Sequence, residues 1–522
     1  METQQPAARV MRDVQIDSRR AGEAGGDAAP DELHLDLAAA PKAAELEAGV
    51  QRDDEVARRR RANRCRLGIA ATCLILAVAG VLTYLIVTGE IGPRPGSRIA
   101  APSALPANES TASEADGDDA TPPRQPWVPL RRVADRAGLK FGFAYNDGLI
   151  WSKPIAEQRA YNELTAANGN IVTAEVVCKP EVMFPTGPDA PNFGPCDRFL
   201  DWAKDNDMEV RFHVAAWGDW NPQWMLDLPA AEKRDVLIAY VRKTLRHFRN
   251  VSHIVYWDVV NEVICDSNPG RRDCDASVGR AEDLGYLRAR QDAPRPPLWY
   301  PDVPDYVDLC FLIAREELGP NANLVLNDYG TESLEDPTDP NKAERMYAWV
   351  EAALARGVPI DSIGFQFHIS TYHDGSAFSV FSGWVDGVRA MALKYAALGL
   401  EVHMTEIDIG CSYITMPCLP DLSEAVPVPG FPDIFGASKQ EAQKAVLFGK
   451  LLRICLELDA CTAYQMWGST DKYSWRKAKE GDTFGSLLDH NAHIFDDNLQ
   501  PKASAYALLA ILTEYVAANG LS

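Results

Sequence analysis

The sequence predicts an α/β chain whose larger, C-terminal part folds as a (β/α)8 barrel. From about Phe141 onward, eight short β-rich runs alternate with amphipathic helical stretches, the pattern of a parallel sheet wrapped by crossover helices. No Gly-rich loop of the G-x-G-x-x-G or G-x-x-x-x-G-K type follows any of these runs, which places a doubly wound open sheet second. Every one of the 12 tryptophans lies at or after Trp127, so the packed part of the chain should begin there.

Taken from the N-terminus, residues 1–66 are charged, poor in large apolar side chains and without a helical or strand period. Such a segment cannot bury enough surface to offset its ordering entropy, and a disordered tail is expected. Residues 67–88, LGIAATCLILAVAGVLTYLIVT, carry no charge over 22 positions, about the length that crosses a hydrocarbon core as a helix. A cleaved signal peptide would start nearer the N-terminus and be shorter. Arg58, Arg59, Arg60, Arg61, Arg64 and Arg66 precede the run, while Glu90 and Arg94 follow it. The positive-inside bias then predicts a single-pass type II membrane protein with a cytoplasmic tail, its C-terminal domain in the Golgi lumen or at the cell surface. Residues 89–126 read as a flexible linker, leaving 127–522 for the barrel.

The expected strands are Phe141 to Tyr145, Ile171 to Glu175, Glu209 to Ala215, His253 to Val259, Asn323 to Asn327, Ser362 to Phe367, Glu401 to Thr405 and Ala463 to Trp467. Between the third and fourth, Leu237, Val241, Leu245 and Phe248 recur at steps of four, four and three, one apolar stripe facing a sheet.

Asp and Glu number 74 against 52 Lys and Arg, a net charge of -22. That excess excludes a nucleic-acid groove, which needs clustered cations. Of the 11 cysteines, eight form sequence-local pairs: 178/196, 265/274, 411/418 and 455/461. None has zinc-knuckle spacing, so local disulfides in an oxidising compartment are expected, with Cys310 a buried free thiol. Sequons at Asn108 and Asn250 are compatible with a glycoprotein. His368 and His373 have no third partner at metal-ligand spacing, and neither metal nor cofactor is expected.

Catalytic groups of a barrel sit at the C-terminal ends of its strands. The fourth expected strand runs into Trp257-Asp258-Val259-Val260-Asn261-Glu262 and the seventh into Thr405-Glu406-Ile407-Asp408-Ile409. Each supplies one glutamate, and a pair of carboxyls is what glycosidic bond cleavage requires. Isolated acids are usually surface charges; these two stand at strand ends and among aromatics.

These two motifs resemble the acid/base and nucleophile signatures of glycoside hydrolase family 10, the retaining endo-β-1,4-xylanases. Ile363-Gly364-Phe365-Gln366-Phe367-His368, Asn327-Asp328-Tyr329 and Trp467-Gly468-Ser469-Thr470-Asp471-Lys472-Tyr473-Ser474-Trp475 resemble its motifs at strands six, five and eight. The resemblance implies Glu262 as general acid/base and Glu406 as nucleophile. It implies substrate contacts from Glu175, Lys179, His213, Trp217, Trp224, Asn261, Gln366, His368, Trp467 and Trp475, with Asp408 supporting His368. The substrate implied is a xylan-like polysaccharide, and the enzyme is expected to be a monomer. Two departures alter the sugar-reading side: Val176 stands where the family has asparagine, and Gly218 where it has histidine. The loop at 265–300 is enlarged, either walling the leaving-group side of the cleft or merely decorating it. A β-glycanase of different sugar specificity and a non-catalytic carbohydrate-binding receptor are the alternatives.

Overall fold

The computed structural model describes residues 127–266, 287–288, 298–335, 339, 341–370, 377–410, 428–431, 434, 437–476 and 491–521. The tail, the apolar run 67–88, the linker, Asn108, Cys274, His373, Cys411 and Cys418 lie outside them. Among the described residues no helix is long and apolar enough to cross a membrane.

Nine strand segments follow in chain order: β1 Lys140–Tyr145, β2 Ile171–Ala174, β3 Glu209–Trp217, β4 Ile254–Asn261, β5 Asn323–Asp328, β6 Ser362–Phe365, β7 His368–Ser370, β8 Glu401–Gly410 and β9 Cys461–Met466. All pair in parallel. β1 pairs with both β2 and β9, and β8 pairs with β9 on one side and with β6 and β7 on the other. The sheet therefore closes into an eight-stave barrel whose sixth stave is broken into β6 and β7. The break falls at Phe367, a buried residue with φ of 60°. Only a strained backbone places an aromatic residue there.

The expected strand order holds, but five staves run further than their sequence suggested: β3 to Trp217, β4 to Asn261, β5 to Asp328, the sixth through β7 to Ser370 and β8 to Gly410. The extensions contain register shifts, between His213 and Ala216 on β3, Asp258 and Val260 on β4, and Met404 and Ile407 on β8. Such irregularities re-aim side chains and break the simple alternation from which strand limits are read.

The helices bury the stripes their spacing predicts. In Ala230–Phe248, Leu237, Val241, Leu245 and Phe248 are fully buried, Glu232 lies in the first turn, and Arg246 and His247 lie in the last. Glu232 and Arg246 complement the helix dipole at its two ends. Trp127 packs edge-on against Phe495 and Tyr506, tying the first described residue to the C-terminal helix Ala503–Ala518. Cys178–Cys196 and Cys455–Cys461 are disulfides, Cys265 is also disulfide-bonded, and Cys310 is free and buried.

Between barrel and helices, Phe141 is fully buried, stacked on Tyr464 with ring centroids 5.6 Å apart and edge-on to Phe143. Phe141→Ala should cost about 3–5 kcal/mol of unfolding free energy, measured by guanidinium denaturation; a loss under about 1 kcal/mol would mean the core collapses onto the gap.

Candidate active site

The interior of the barrel holds ions where a smaller core would hold methyl groups. On β3 and β4, Arg211 donates to both oxygens of Asp258, at 3.0 and 2.6 Å, and His213 Nδ1 lies 2.9 Å from Asp258 Oδ2. Burial alone would raise the Asp258 carboxyl; Arg211 and His213 overturn that and hold it below its ordinary value. His403 on β8 completes the cluster. Burial lowers its imidazole to about 4, so as a neutral ring it accepts from Arg211 at Nδ1 (3.1 Å) and donates to Glu401 from Nε2 (3.2 Å). This layer forms the floor on which the cleft residues stand.

Glu262 and Glu406 lie above it, joined through three amides. Gln366 Nε2 donates to Glu262 Oε1 and to Asn261 Oδ1, each at 3.2 Å. Asn327 Nδ2 donates to the same Asn261 oxygen at 2.9 Å and to Glu406 Oε1 at 2.6 Å. Thr405 Oγ1 donates to Asn327 Oδ1 at 2.7 Å. Because of the register shift on β8, consecutive Thr405 and Glu406 both reach Asn327. Gly364 makes the approach possible: a Cβ there would lie 2.3 Å from Asn327 Oδ1 and 3.0 Å from Arg211 Nη2.

Glu262 follows β4 with φ of 53°, its N–H held by Asn327 C=O at 2.9 Å. A left-handed glutamate is strained, and its surroundings hold it there. Trp217 Nε1 donates to its Oε2 at 3.2 Å. Burial raises the Glu262 carboxyl; Arg288 opposes this, while Asp219, Asp328 and Glu406 add to it.

His368 bridges the second carboxyl to a third. Its Nε2 lies 3.1 Å from Glu406 Oε2 and its Nδ1 2.9 Å from Asp408 Oδ2. Burial would lower the imidazole, but Asp408 and the hydrogen bonds to both acids raise it to about 10. Asp408 also accepts from Trp475 Nε1 and Arg476 Nη1, both at 2.7 Å. Burial works against its charge; His368 and Arg476 hold it well below the carboxylate range.

Tryptophans wall the cleft. Trp217 and Trp467 are nearly buried, whereas Trp475 is 42% exposed. Lys179 Nζ lies 5.0 Å from the Trp217 ring, 4.4 Å from Trp220 and 5.9 Å from Trp467. Burial lowers this ammonium below its ordinary value, although Glu175, Glu406 and Glu262 oppose that. Glu175 follows β2, its N–H on Tyr145 C=O. Of the residues expected from the sequence, Trp224 is the one not drawn into this network. Its indole donates to Phe184 C=O at 2.7 Å and packs on the hydrophobic core.

Sequence reasoning left out Arg211, Asp258, Asn327, Thr405, Trp220 and Arg288 as site residues. Arg211 and Asp258 had a signal, since a charge in the middle of an apolar strand must find a buried partner. Asp219 and Arg288 had none.

Two carboxyls tied together at strand ends four and seven of a closed barrel, in a tryptophan-walled cleft, define a glycoside hydrolase. The chain belongs to glycosyl hydrolase family 10, whose model matches residues 129–511. It is 28% identical over 391 residues to endo-1,4-beta-xylanase B of Thermotoga neapolitana, covering 74% of this chain and 92% of that protein. A thermostable celloxylanase of Thermoclostridium stercorarium is 28% identical over 365 residues, covering 66% of this chain and 80% of its own length. The structure of xylanase 10B from Thermotoga petrophila RKU-1 in complex with xylobiose superposes with a TM-score of 0.57 at 27% identity, covering 76% of this chain and all of that one.

Gly364→Ala should displace Asn327 and lower kcat about 100-fold with the circular dichroism spectrum retained; an unchanged kcat would count against the amide bridge. His368 gives a pH signature. Its folded-state value, about 10, lies above the ordinary 6.5, so its contribution to stability is complete below about pH 6.5 and is lost as pH rises through 10. The stability difference between wild type and His368→Gln, from urea titrations across that range, should shrink accordingly; a flat difference would refute it.

Proposed function

We propose that the chain is a retaining endo-β-1,4-xylanase that cleaves internal bonds of xylan by a two-glutamate double displacement. The observation that carries the reading is the amide-linked pair, with Glu262 in a setting that favours its protonated form and Glu406 held between Asn327 and His368. In the first step Glu406 attacks the anomeric carbon, while Glu262 gives its proton to the departing glycosidic oxygen. In the second, Glu262 takes a proton from water, which attacks the same carbon and releases Glu406.

Asn261 presents its Oδ1 to Gln366 and Asn327, which leaves its Nδ2 for the sugar 2-hydroxyl. Trp467 and Trp475 stack on the sugar at the reaction centre. Lys179, Glu175, His213 and Trp217 serve the glycone side. Val176 and Gly218 favour a second reading, a β-glycanase of different sugar specificity.

The domain is further proposed to be a monomer, held outside the cytoplasm by the run 67–88 in the bilayer. The disulfides of Cys178–Cys196 and Cys455–Cys461 and that of Cys265 suit an oxidising compartment, and the sequon residue Asn250 is exposed on the barrel. Protease protection of the domain in intact vesicles, with an endoglycosidase shift, tests the topology; digestion from the cytoplasmic side would reverse it.

Glu262→Gln and Glu406→Gln should each lower turnover of xylan by at least about 1000-fold with unfolding midpoints unchanged, and a 2-fluoro-xylobioside should label Glu406. Wild-type-like turnover in either variant would overturn the assignment. Activity on aryl cellobioside but not aryl xylobioside would move the enzyme to the second reading.

A further inference from the structure

The enlarged loop after β4 returns to the strand end it leaves. Leu287 bridges Ile264 in antiparallel fashion, and the Arg288 N–H donates to Val263 C=O at 2.9 Å. Trp299, fully buried, donates its indole N–H to Trp217 C=O at 3.0 Å. Trp217 is the residue whose own indole reaches Glu262. These contacts set the Arg288 guanidinium, 9% exposed, 3.8 Å from Glu262 Oε2 and 3.5 Å from Asp219 Oδ2.

The geometry is that of a cation shared between two acids. At 3.8 Å the guanidinium is an electrostatic neighbour of Glu262 and not its hydrogen-bond donor, a part taken by Trp217 at 3.2 Å. A closer ion pair would hold Glu262 ionised and unable to protonate a leaving group. With no cation the buried carboxyl would surrender its proton too reluctantly. Also facing Glu262 are three acids, Asp219 beyond β3, Asp328 at the end of β5 and Glu406 on β8, and the Lys179 ammonium. Among the described residues Arg288 is the cation that acts most strongly on Glu262.

We propose that Arg288 is a positioning residue for proton transfer: shared between Glu262 and Asp219, it steadies the Oε2 side of the Glu262 carboxyl and sets the alkaline limit of turnover. The proposal rests on Glu262 being the general acid. It gives the enlarged loop a part in the chemistry, because the loop delivers the cation.

The test is kcat/KM against pH for the full chain on an unsubstituted xylo-oligosaccharide, comparing wild type with Arg288→Gln, Arg288→Lys, Asp219→Asn and Glu262→Gln. Removing the cation makes Glu262 hold its proton longer, so Arg288→Gln should move the alkaline limb up by about one pH unit. Removing the competing anion does the reverse, so Asp219→Asn should move it down, and Arg288→Lys should stay near wild type. A dinitrophenyl xylobioside, whose leaving group needs no proton, should show no such displacement in kcat/KM.

Limbs that do not move, that move in the same direction in both variants, or that move equally with the dinitrophenyl substrate would overturn the proposal. If Arg288→Gln does not fold, the downward shift in Asp219→Asn decides alone. Loss of turnover in Glu262→Gln with unmoved limbs removes only the role of Arg288; retained turnover in Glu262→Gln removes the general-acid reading itself.

Discussion

Everything at the top of this barrel depends on the hydrogen-bonded amides of Asn261, Asn327 and Gln366. An amide has a donor end and an acceptor end, so once Thr405 donates to Asn327 Oδ1 the remaining orientations follow. Asn327 must present its nitrogen to Glu406 and Asn261, and Asn261 must turn its oxygen to Asn327 and Gln366. Two carboxyls that would otherwise move separately are thereby held in one frame. Positioning of that kind is worth more to a displacement reaction than any one contact with substrate.

The floor below is equally constrained. Arg211, Asp258, His213 and His403 are all buried, and charges out of water are tolerated only when each is paired. Asp258 takes three hydrogen bonds from two partners, and His403 is kept neutral by the same burial that would otherwise penalise it. A fixed polar floor explains why β3, β4 and β8 carry charged or imidazole side chains inside otherwise apolar runs. It also explains why Gly364 has no side chain: any Cβ would strike both the floor and the amides above it.

The two glutamates are placed in different surroundings at the ends of staves four and seven of one barrel. Glu262 sits on a strained residue among acids, with burial favouring its proton. Glu406 receives an amide N–H on one oxygen and faces an imidazole on the other. His368 is in turn anchored by Asp408, and Asp408 by Trp475 and Arg476. Environment, not residue type, separates an acid from a nucleophile.

The sequence by itself determined the barrel, its order of staves and the two glutamates, because periodicity and strand-end motifs are local and survive without knowledge of partners. It also marked His368, Asp408 and Trp475, which lie within such motifs. It also named Trp224, whose indole N–H donates to the Phe184 backbone. Only the tertiary structure decided the amide bridge and the Arg288–Asp219 pair. Those contacts join residues 79 and 69 positions apart, and they exist because register shifts and a returning loop bring together side chains that no spacing along the chain relates.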